Sequence, residues 1–264
     1  MRIYDCFTYF NETPMLDFRL RYLHKHVDVF VIVESRYTFT RKKKEMTASK
    51  CVKKMPDDIV KKVRLVELEE APWGTFNAQC NWEREYYQRN AITRGLHDLS
   101  DEDYVIIADV DEVPSTNFLQ IVPELAKKNI AGLNIKMETF YYSAMNQMFD
   151  NNKPLESTLP KIVRSTHLVN PQTTRMSTGH WKSTLFNGWH FSYMGGHEKV
   201  LEKIKSFAHQ ELNTMEIIEK ISKQMKSNED PFQRHFKFKE YKGSLPDLIY
   251  SKKEYLEYFA LDAQ

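Results

Sequence analysis

The sequence predicts an α/β fold, a mixed but mostly parallel sheet flanked by helices, in one domain spanning residues 1–264. Short apolar runs alternate with helical patterns through the first third, the signature of βαβ units. Hydrophobic residues make up 41% of the chain, enough for one large core. With 8 Gly and 10 Pro, the composition excludes collagen-like and low-complexity chains.

The elements follow in order. Ile3 to Tyr9 reads as a strand, and Thr13-Pro14 as N-cap and N1 of a helix with Met15, Leu16, Leu20 and Leu23 at helical spacing. Val29 to Val33 is a buried strand ending at Glu34-Ser35, and Val63 to Leu68 is another. Asn81 to Leu96 has a helical pattern, and the strand Tyr104 to Ala108 runs into Asp109-Val110-Asp111-Glu112. A helix starts at Pro114-Ser115 and runs to about Lys128; a strand is expected over Ile130 to Met137. Thr139 to His180 reads as loops with short strands, a region that shapes a site. Leu185 to Phe191 is expected to be a strand, Glu198 to Lys226 helical, and Ser251 to Leu261 a last helix. Within the single domain an N-terminal half is expected at about 1–114 and a C-terminal half at about 115–264.

Charge and cysteine content narrow the function classes. A formal net charge of +2 argues against a dedicated nucleic-acid binder. Cys6, Cys51 and Cys80 form no CxxC, which argues against a disulfide scaffold or zinc ribbon. The N-terminus lacks the pattern of a signal peptide, and the apolar run Val29 to Val33 is far too short to span a bilayer, so a soluble, cytoplasmic protein is expected. Arg41 to Lys54 holds seven basic residues against one acid, Glu45, and reads as a solvated loop or a contact for an anionic acceptor.

The strongest chemical signal is VIIADVDEV, Val105 to Val113, in which an apolar strand delivers Asp109, Asp111 and Glu112 at its C-terminal end. Ligands of open α/β sheets bind at that edge. Clustered carboxylates need a compensating cation, and oxygen ligands favour Mg²⁺ or Mn²⁺ shared with substrate phosphates. An EF-hand is excluded, because Pro114 and Gln120 fall where Gly and Glu are required. A DxD after a buried strand fits haloacid-dehalogenase-like phosphatases, with Asp109 as nucleophile, although no adjacent Asp pair follows Glu112. It equally fits nucleotide-sugar glycosyltransferases of the GT-A type, where the motif holds a metal on the diphosphate.

A second constellation is GWHFSYMGGHE, Gly188 to Glu198, where His190 follows a strand-like run and Gly195-Gly196 would let the backbone approach a ligand. A distant His joined to a DxD is the arrangement GT-A enzymes use for a further metal ligand. Trp181, Trp189, Tyr141 and Tyr142 could stack on sugar faces. No GxGxxG, P-loop or HExxH is present.

The strings YDCFTYFNE (Tyr4 to Glu12), LDFRLRYL (Leu16 to Leu23), VDVFVIVESRYTFT (Val27 to Thr40), EYYQRN (Glu85 to Asn90), DEDYVIIADVDEVP (Asp101 to Pro114) and GWHFS (Gly188 to Ser192) resemble glycosyltransferase family 17. That group contains β-1,4-mannosyl-glycoprotein 4-β-N-acetylglucosaminyltransferase. The resemblance implies a GT-A fold, a UDP-sugar donor such as UDP-GlcNAc, a glycan acceptor, Mn²⁺ or Mg²⁺, and inversion at the anomeric carbon. It carries Asp109 and Asp111 over as the DxD; His190 fits as third metal ligand by GT-A analogy, and Glu12, Glu34 and Arg89 are expected nucleotide contacts beside Asp109. Glu198 is the expected general base, with Glu138 in reserve. A phosphatase and a non-catalytic carbohydrate-binding protein are the alternatives.

Overall fold

The computed structural model describes residues 1–69, 81–178, 186–227, 229–230, 232 and 234–261. Cys80, Trp181 and Leu185, the expected start of a strand, lie outside the described residues. In chain order the first elements are β1 (Ile3–Tyr9), α1 (Thr13–Leu23), β2 (Val29–Ser35), α2 (Ala48–Val52), α3 (Asp57–Val60) and β3 (Val63–Leu68). There follow α4 (Asn81–Asn90), β4 (Tyr104–Asp109), β5 (Glu112–Pro114), α5 (Thr116–Lys127), β6 (Gly132–Asn134), β7 (Met137–Tyr141), β8 (Asn146–Asp150), β9 (Lys153–Pro154), β10 (Glu156–Ser157) and β11 (Lys161–Arg164). The last third holds α6 (Pro171–Met176), β12 (Gly188–Ser192), α7 (Gly196–Ser206), α8 (Met215–Ser227), β13 (Lys237–Glu240) and α9 (Lys253–Tyr258).

Two sheets form where one mostly parallel sheet was expected. The first runs β3-β2-β1-β4-β11-β6. Its pairings among β3, β2, β1 and β4 are parallel, whereas β11 pairs antiparallel to both β4 and β6. The second runs β13-β8-β7-β12-β5 with β9 and β10 at its flank, and among these pairings only β7–β12 is parallel. The fold is mixed α/β. The expected strand Ile130 to Met137 divides into β6 and β7, which belong to different sheets. The helical stretch expected over Glu198 to Lys226 divides into α7 and α8, and Asn81 to Leu96 into α4 and a 3-10 turn, Ala91–Gly95.

Alternation decides what each strand buries. On β1, Ile3, Phe7 and Tyr9 enter the larger core, while Tyr4 and Cys6 enter a second core with Ala91, Ile92 and Leu96. Helices thus cover both faces of the parallel strands, as βαβ connections require. Thr13, expected as the N-cap, is the first residue of α1, whose N-cap is Glu12; Pro14 stands in its first turn, and Met15, Leu16, Leu20 and Leu23 are all buried as the spacing predicts. Ser115 caps α5 by accepting from the Phe118 amide at 3.2 Å.

The parallel register sets Thr8 beside both Val33 and Asp109, and Tyr9 beside Glu34. The carboxyl ends of β1, β2 and β4 therefore share one edge. Here β1 lies between β2 and β4, which the chain reaches in opposite directions, and that is where open sheets leave a crevice.

Candidate active site

A cavity of about 540 Å³ opens at this edge, lined by the ends of β1 and β4, the segment after β2, and residues of α4, α6, β12 and α7. Asp109 and Asp111, one turn apart at the end of β4, occupy different environments within it. Asp109 Oδ1 accepts from Thr8 Oγ1 at 2.9 Å and Arg89 at 3.0 Å, and Oδ2 accepts from Arg175 at 2.8 Å. Burial pushes the Asp109 carboxyl up, but Arg175 and Arg89 outweigh it and hold the group well below the usual carboxylate range. Arg175 also donates to both oxygens of Glu112, at 2.6 and 2.9 Å, and Glu112 accepts from the Asp109 amide at 2.7 Å. With Glu85, which accepts from Arg89 at 2.8 Å, two guanidinium groups and three carboxylates thus form one network, buried at Arg89, Arg175 and Glu112 and open to the cavity at Asp109.

Asp111 faces α7 and β12. Its Oδ2 accepts from Lys203 Nζ at 2.6 Å, and its Oδ1 lies 3.9 Å from His190 Nε2. Burial raises the Asp111 carboxyl, and Lys203 and then His190 bring it below its ordinary value. Lys203 is partly buried, which pushes its ammonium down, yet Asp111 and Glu12 outweigh this and keep it above the ordinary lysine value.

Strand parity sorts the other expected residues. Glu34 points to the opposite face from Val33, where it accepts from the Thr47 amide at 2.9 Å, the Ala48 amide at 2.9 Å and Lys44 Nζ at 2.6 Å. It pins the basic segment to the sheet and is not among the residues that line the cavity, where a nucleotide contact was expected. Lys44 is thereby neutralised, and Lys50 pairs with Glu45, so the basic segment is partly self-compensated. On β7 and β12, His190 pairs with Thr139 and Trp189 with Glu138, which puts Glu138 on the face away from His190. Glu138 lines a separate cavity, accepting from Gln147 and from Tyr241 at 2.8 Å each, while burial pushes its carboxyl up. Glu198 is exposed in the first turn of α7, where a carboxylate favours the helix dipole, and lines neither the active-site cavity nor its neighbour. Neither expected base stands beside the DxD.

Glu12, Arg89, Asp109, Asp111 and His190 do converge on the cavity. Tyr141 and His209 also line it, the latter edge-on to Trp82 at 4.4 Å, whereas Trp189 lies on the other face of its sheet. Arg19, Arg175 and Lys203 escaped the sequence reading, and Glu112, read there as one of three clustered carboxylates, was given no role of its own. Arg19 left a signal: it sits four residues from both Met15 and Leu23, inside the apolar stripe of α1.

Among the described residues no group of three His, Cys, Asp or Glu side chains is arranged to hold a metal ion. A hard divalent ion that shares substrate phosphates and keeps waters needs only one or two protein ligands. Asp111 Oδ1 and His190 Nε2 meet that requirement, since both line the cavity and neither atom is within hydrogen-bond reach of the other. Asp109 does not, because its oxygens are engaged by Thr8 and two arginines.

The sequence profile of Glycosyltransferase family 17 matches residues 1–242. The chain belongs to glycosyltransferase family 17. Family membership favours transfer over the phosphatase alternative, which would need Asp109 as a free nucleophile. No curated protein matches this family 17 chain. Among solved structures it is similar to 4-diphosphocytidyl-2C-methyl-D-erythritol synthase from Anaerococcus prevotii DSM 20548, at 15% identity and a TM-score of 0.32 over 62% of this chain and 70% of that one. A likeness of that size decides nothing about fold or function. No helix among the described residues is long and apolar enough to cross a membrane.

Proposed function

We propose that this family 17 glycosyltransferase moves a sugar, GlcNAc by resemblance, from a UDP-sugar to a glycan hydroxyl with inversion. The observation that carries the reading is the cavity at the carboxyl edge of the parallel strands, whose floor combines Asp111 and His190 with Arg89, Arg175 and Lys203. Each of these cations is already paired with a carboxylate of the cavity, so they offer oriented N–H donors to a diphosphate, and a divalent ion at Asp111 and His190 would supply the uncompensated positive charge that the diphosphate needs to bind and to leave. Tyr37, Phe39, Trp82 and Tyr86 line the same cavity and offer faces on which a nucleobase can stack.

Mn²⁺ or Mg²⁺ would be held by Asp111 and His190, and when bound it would add positive charge where the diphosphate departs. Asp109 acts differently in this reading. By fixing Arg89 and Arg175 it orients two cationic side chains towards the cavity, and the buried Glu112 shares that task. Orientation before the reaction lowers the reorganisation needed as charge develops on the leaving group.

Calorimetry with UDP tests the reading. UDP is expected to bind tighter with Mn²⁺ than with EDTA, and Asp111→Asn should remove most of that difference while leaving the fold intact. Equal affinity in Mn²⁺ and EDTA would remove the metal from the scheme. Release of UDP from UDP-GlcNAc by the wild type is the accompanying activity measurement.

A further inference from the structure

A smaller cavity of about 290 Å³ lies beside the first and shares with it Glu12, Asp111, Tyr193 and Lys203. Those four side chains form the wall between the two. Lys203 braces it, with Nζ 2.6 Å from Asp111 Oδ2, 3.8 Å from Glu12 Oε1 and 5.6 Å from the centre of the Tyr193 ring. Beyond the wall the smaller cavity is lined by Asn11, Lys199, Glu254, Glu257 and the ring of Tyr258. Carboxylates, an amide and an ammonium bind hydroxyl groups, and an aromatic face accepts the C–H side of a sugar. The volume stands at the lower end of the range of about 300–1,000 Å³ for ligand pockets, suited to one small ring. Gly195 keeps it open: its φ is +87°, and a Cβ there would come within 2.9 Å of the Tyr258 ring.

Glu12 stands at the junction in a fixed orientation. Its Oε2 accepts from the amides of Phe10 at 3.2 Å and Asn11 at 3.0 Å, which leaves Oε1 turned towards Lys203. The side chain is 14% exposed, so it is held but reachable. Of the other carboxylates lining the larger cavity, Glu85 pairs with Arg89, Glu112 with Arg175, Asp109 with both arginines, and Asp111 with Lys203 at 2.6 Å, against 3.8 Å for Glu12.

We propose that the smaller cavity is the acceptor subsite, taking one sugar residue of the acceptor, and that Glu12 Oε1 receives the proton of the attacking hydroxyl. The inference rests on the UDP-sugar reading above. In the step, the acceptor oxygen bonds to C1 of the donor sugar and its proton passes to Glu12. The bond from C1 to the phosphate oxygen breaks, and its electron pair leaves with UDP. This assignment takes the base away from Glu198 and Glu138 and gives Glu12 an acceptor-side role in place of the expected nucleotide contact.

The test uses the wild type, Glu12→Gln and Glu257→Trp, the last placing a bulky ring on an exposed helix face at the mouth of the cavity. With UDP and Mn²⁺ bound, methyl glycosides of mannose, galactose and GlcNAc serve as probes in saturation-transfer NMR. At least one is expected to bind the wild type, and Glu257→Trp should weaken it at least about tenfold while UDP affinity stays within about twofold. In turnover of UDP-GlcNAc, Glu12→Gln should lower kcat by about 10²- to 10⁴-fold, the usual contribution of general-base assistance, with UDP affinity little changed. A Glu12→Gln enzyme with near-normal kcat overturns the base assignment. UDP binding without any glycoside binding, or glycoside binding indifferent to Glu257→Trp, overturns the subsite. A wild type that binds no UDP is a different failure: it removes the donor reading, and this inference falls with it.

Discussion

The guanidinium of Arg19 is fully buried, pairs with Asp5 at 2.6 and 2.8 Å, and lies over the Phe7 ring at 4.4 Å. Its remaining donor, Nη1, reaches the carbonyls of Asp109 at 2.9 Å, Val110 at 3.1 Å and Glu112 at 2.7 Å. One residue of the first helix therefore holds the turn that carries the DxD, though it does not line the cavity. Removing one partner of a buried pair costs about 3–5 kcal/mol, because the other charge is left uncompensated. Arg19→Met is accordingly expected to destabilise the protein by about that amount in urea denaturation. The double variant Asp5→Leu/Arg19→Met should recover part of the loss, because no charge is stranded, but not all, because the three carbonyls lose their donor. A single Arg19→Met variant of normal stability would deny the residue this function.

At the scale of elements, the short pairing of β5 with β12 brings the two constellations together, setting His190 opposite Glu112. Gly188, at the start of β12, makes that pairing possible. A Cβ there would lie 2.3 Å from the Val113 carbonyl oxygen and 2.8 Å from the Pro114 Cα, and backbone atoms cannot step aside as a side-chain tip can. Gly196, by contrast, has open space around its Cβ position and only the cost of its φ of +82°. Gly188→Ala should lower stability by about 1–3 kcal/mol and weaken Mn²⁺-dependent UDP binding as His190 shifts. Gly196→Ala should cost about 1–2 kcal/mol, from backbone strain alone, without weakening UDP binding. Melting temperature and calorimetry on both variants separate the two, and equal effects on UDP binding would argue against β5–β12 as the element that places His190.

For the whole molecule, the dependence of stability on pH carries a mark of how deeply the first sheet is buried. Lys161 on β11 is 2% exposed and donates to the carbonyls of Thr158 at 2.6 Å and Leu159 at 3.0 Å. Burial, and then the nearby Arg175, push its ammonium down to about 8 from an ordinary value of 10.5. Between those values the unfolded chain binds more protons than the folded one, so this group makes stability rise with pH across the window. Below about pH 8 both states are protonated and its destabilising contribution is constant. Lys161→Met should abolish that part of the slope. Between about pH 8 and 10.5 the urea midpoint of the wild type should rise relative to that of the variant, and parallel curves would contradict the assignment.

Much of the frame was legible in the sequence because its causes are local. The runs at Ile3, Val29, Val63 and Tyr104 became β1, β2, β3 and β4, since apolar stretches bounded by polar residues have few other ways to be buried. The carboxylates of VIIADVDEV stand at a strand's carboxyl edge because the strand itself was unmistakable. What only the tertiary structure decided is which side chains share a face and a charge. A strand sends alternate residues to opposite sides, and which side holds the cavity depends on what packs there. That is why Glu34 and Glu138, reasonable as isolated carboxylates, turn away while Asp109 and His190 turn in. The cations that answer the DxD come from afar, Arg175 at 66 residues from Asp109 and Lys203 at 92 from Asp111. A lysine or arginine on an amphipathic helix reads as solvated until another element buries it beside a carboxylate, and that pairing depends on tertiary packing.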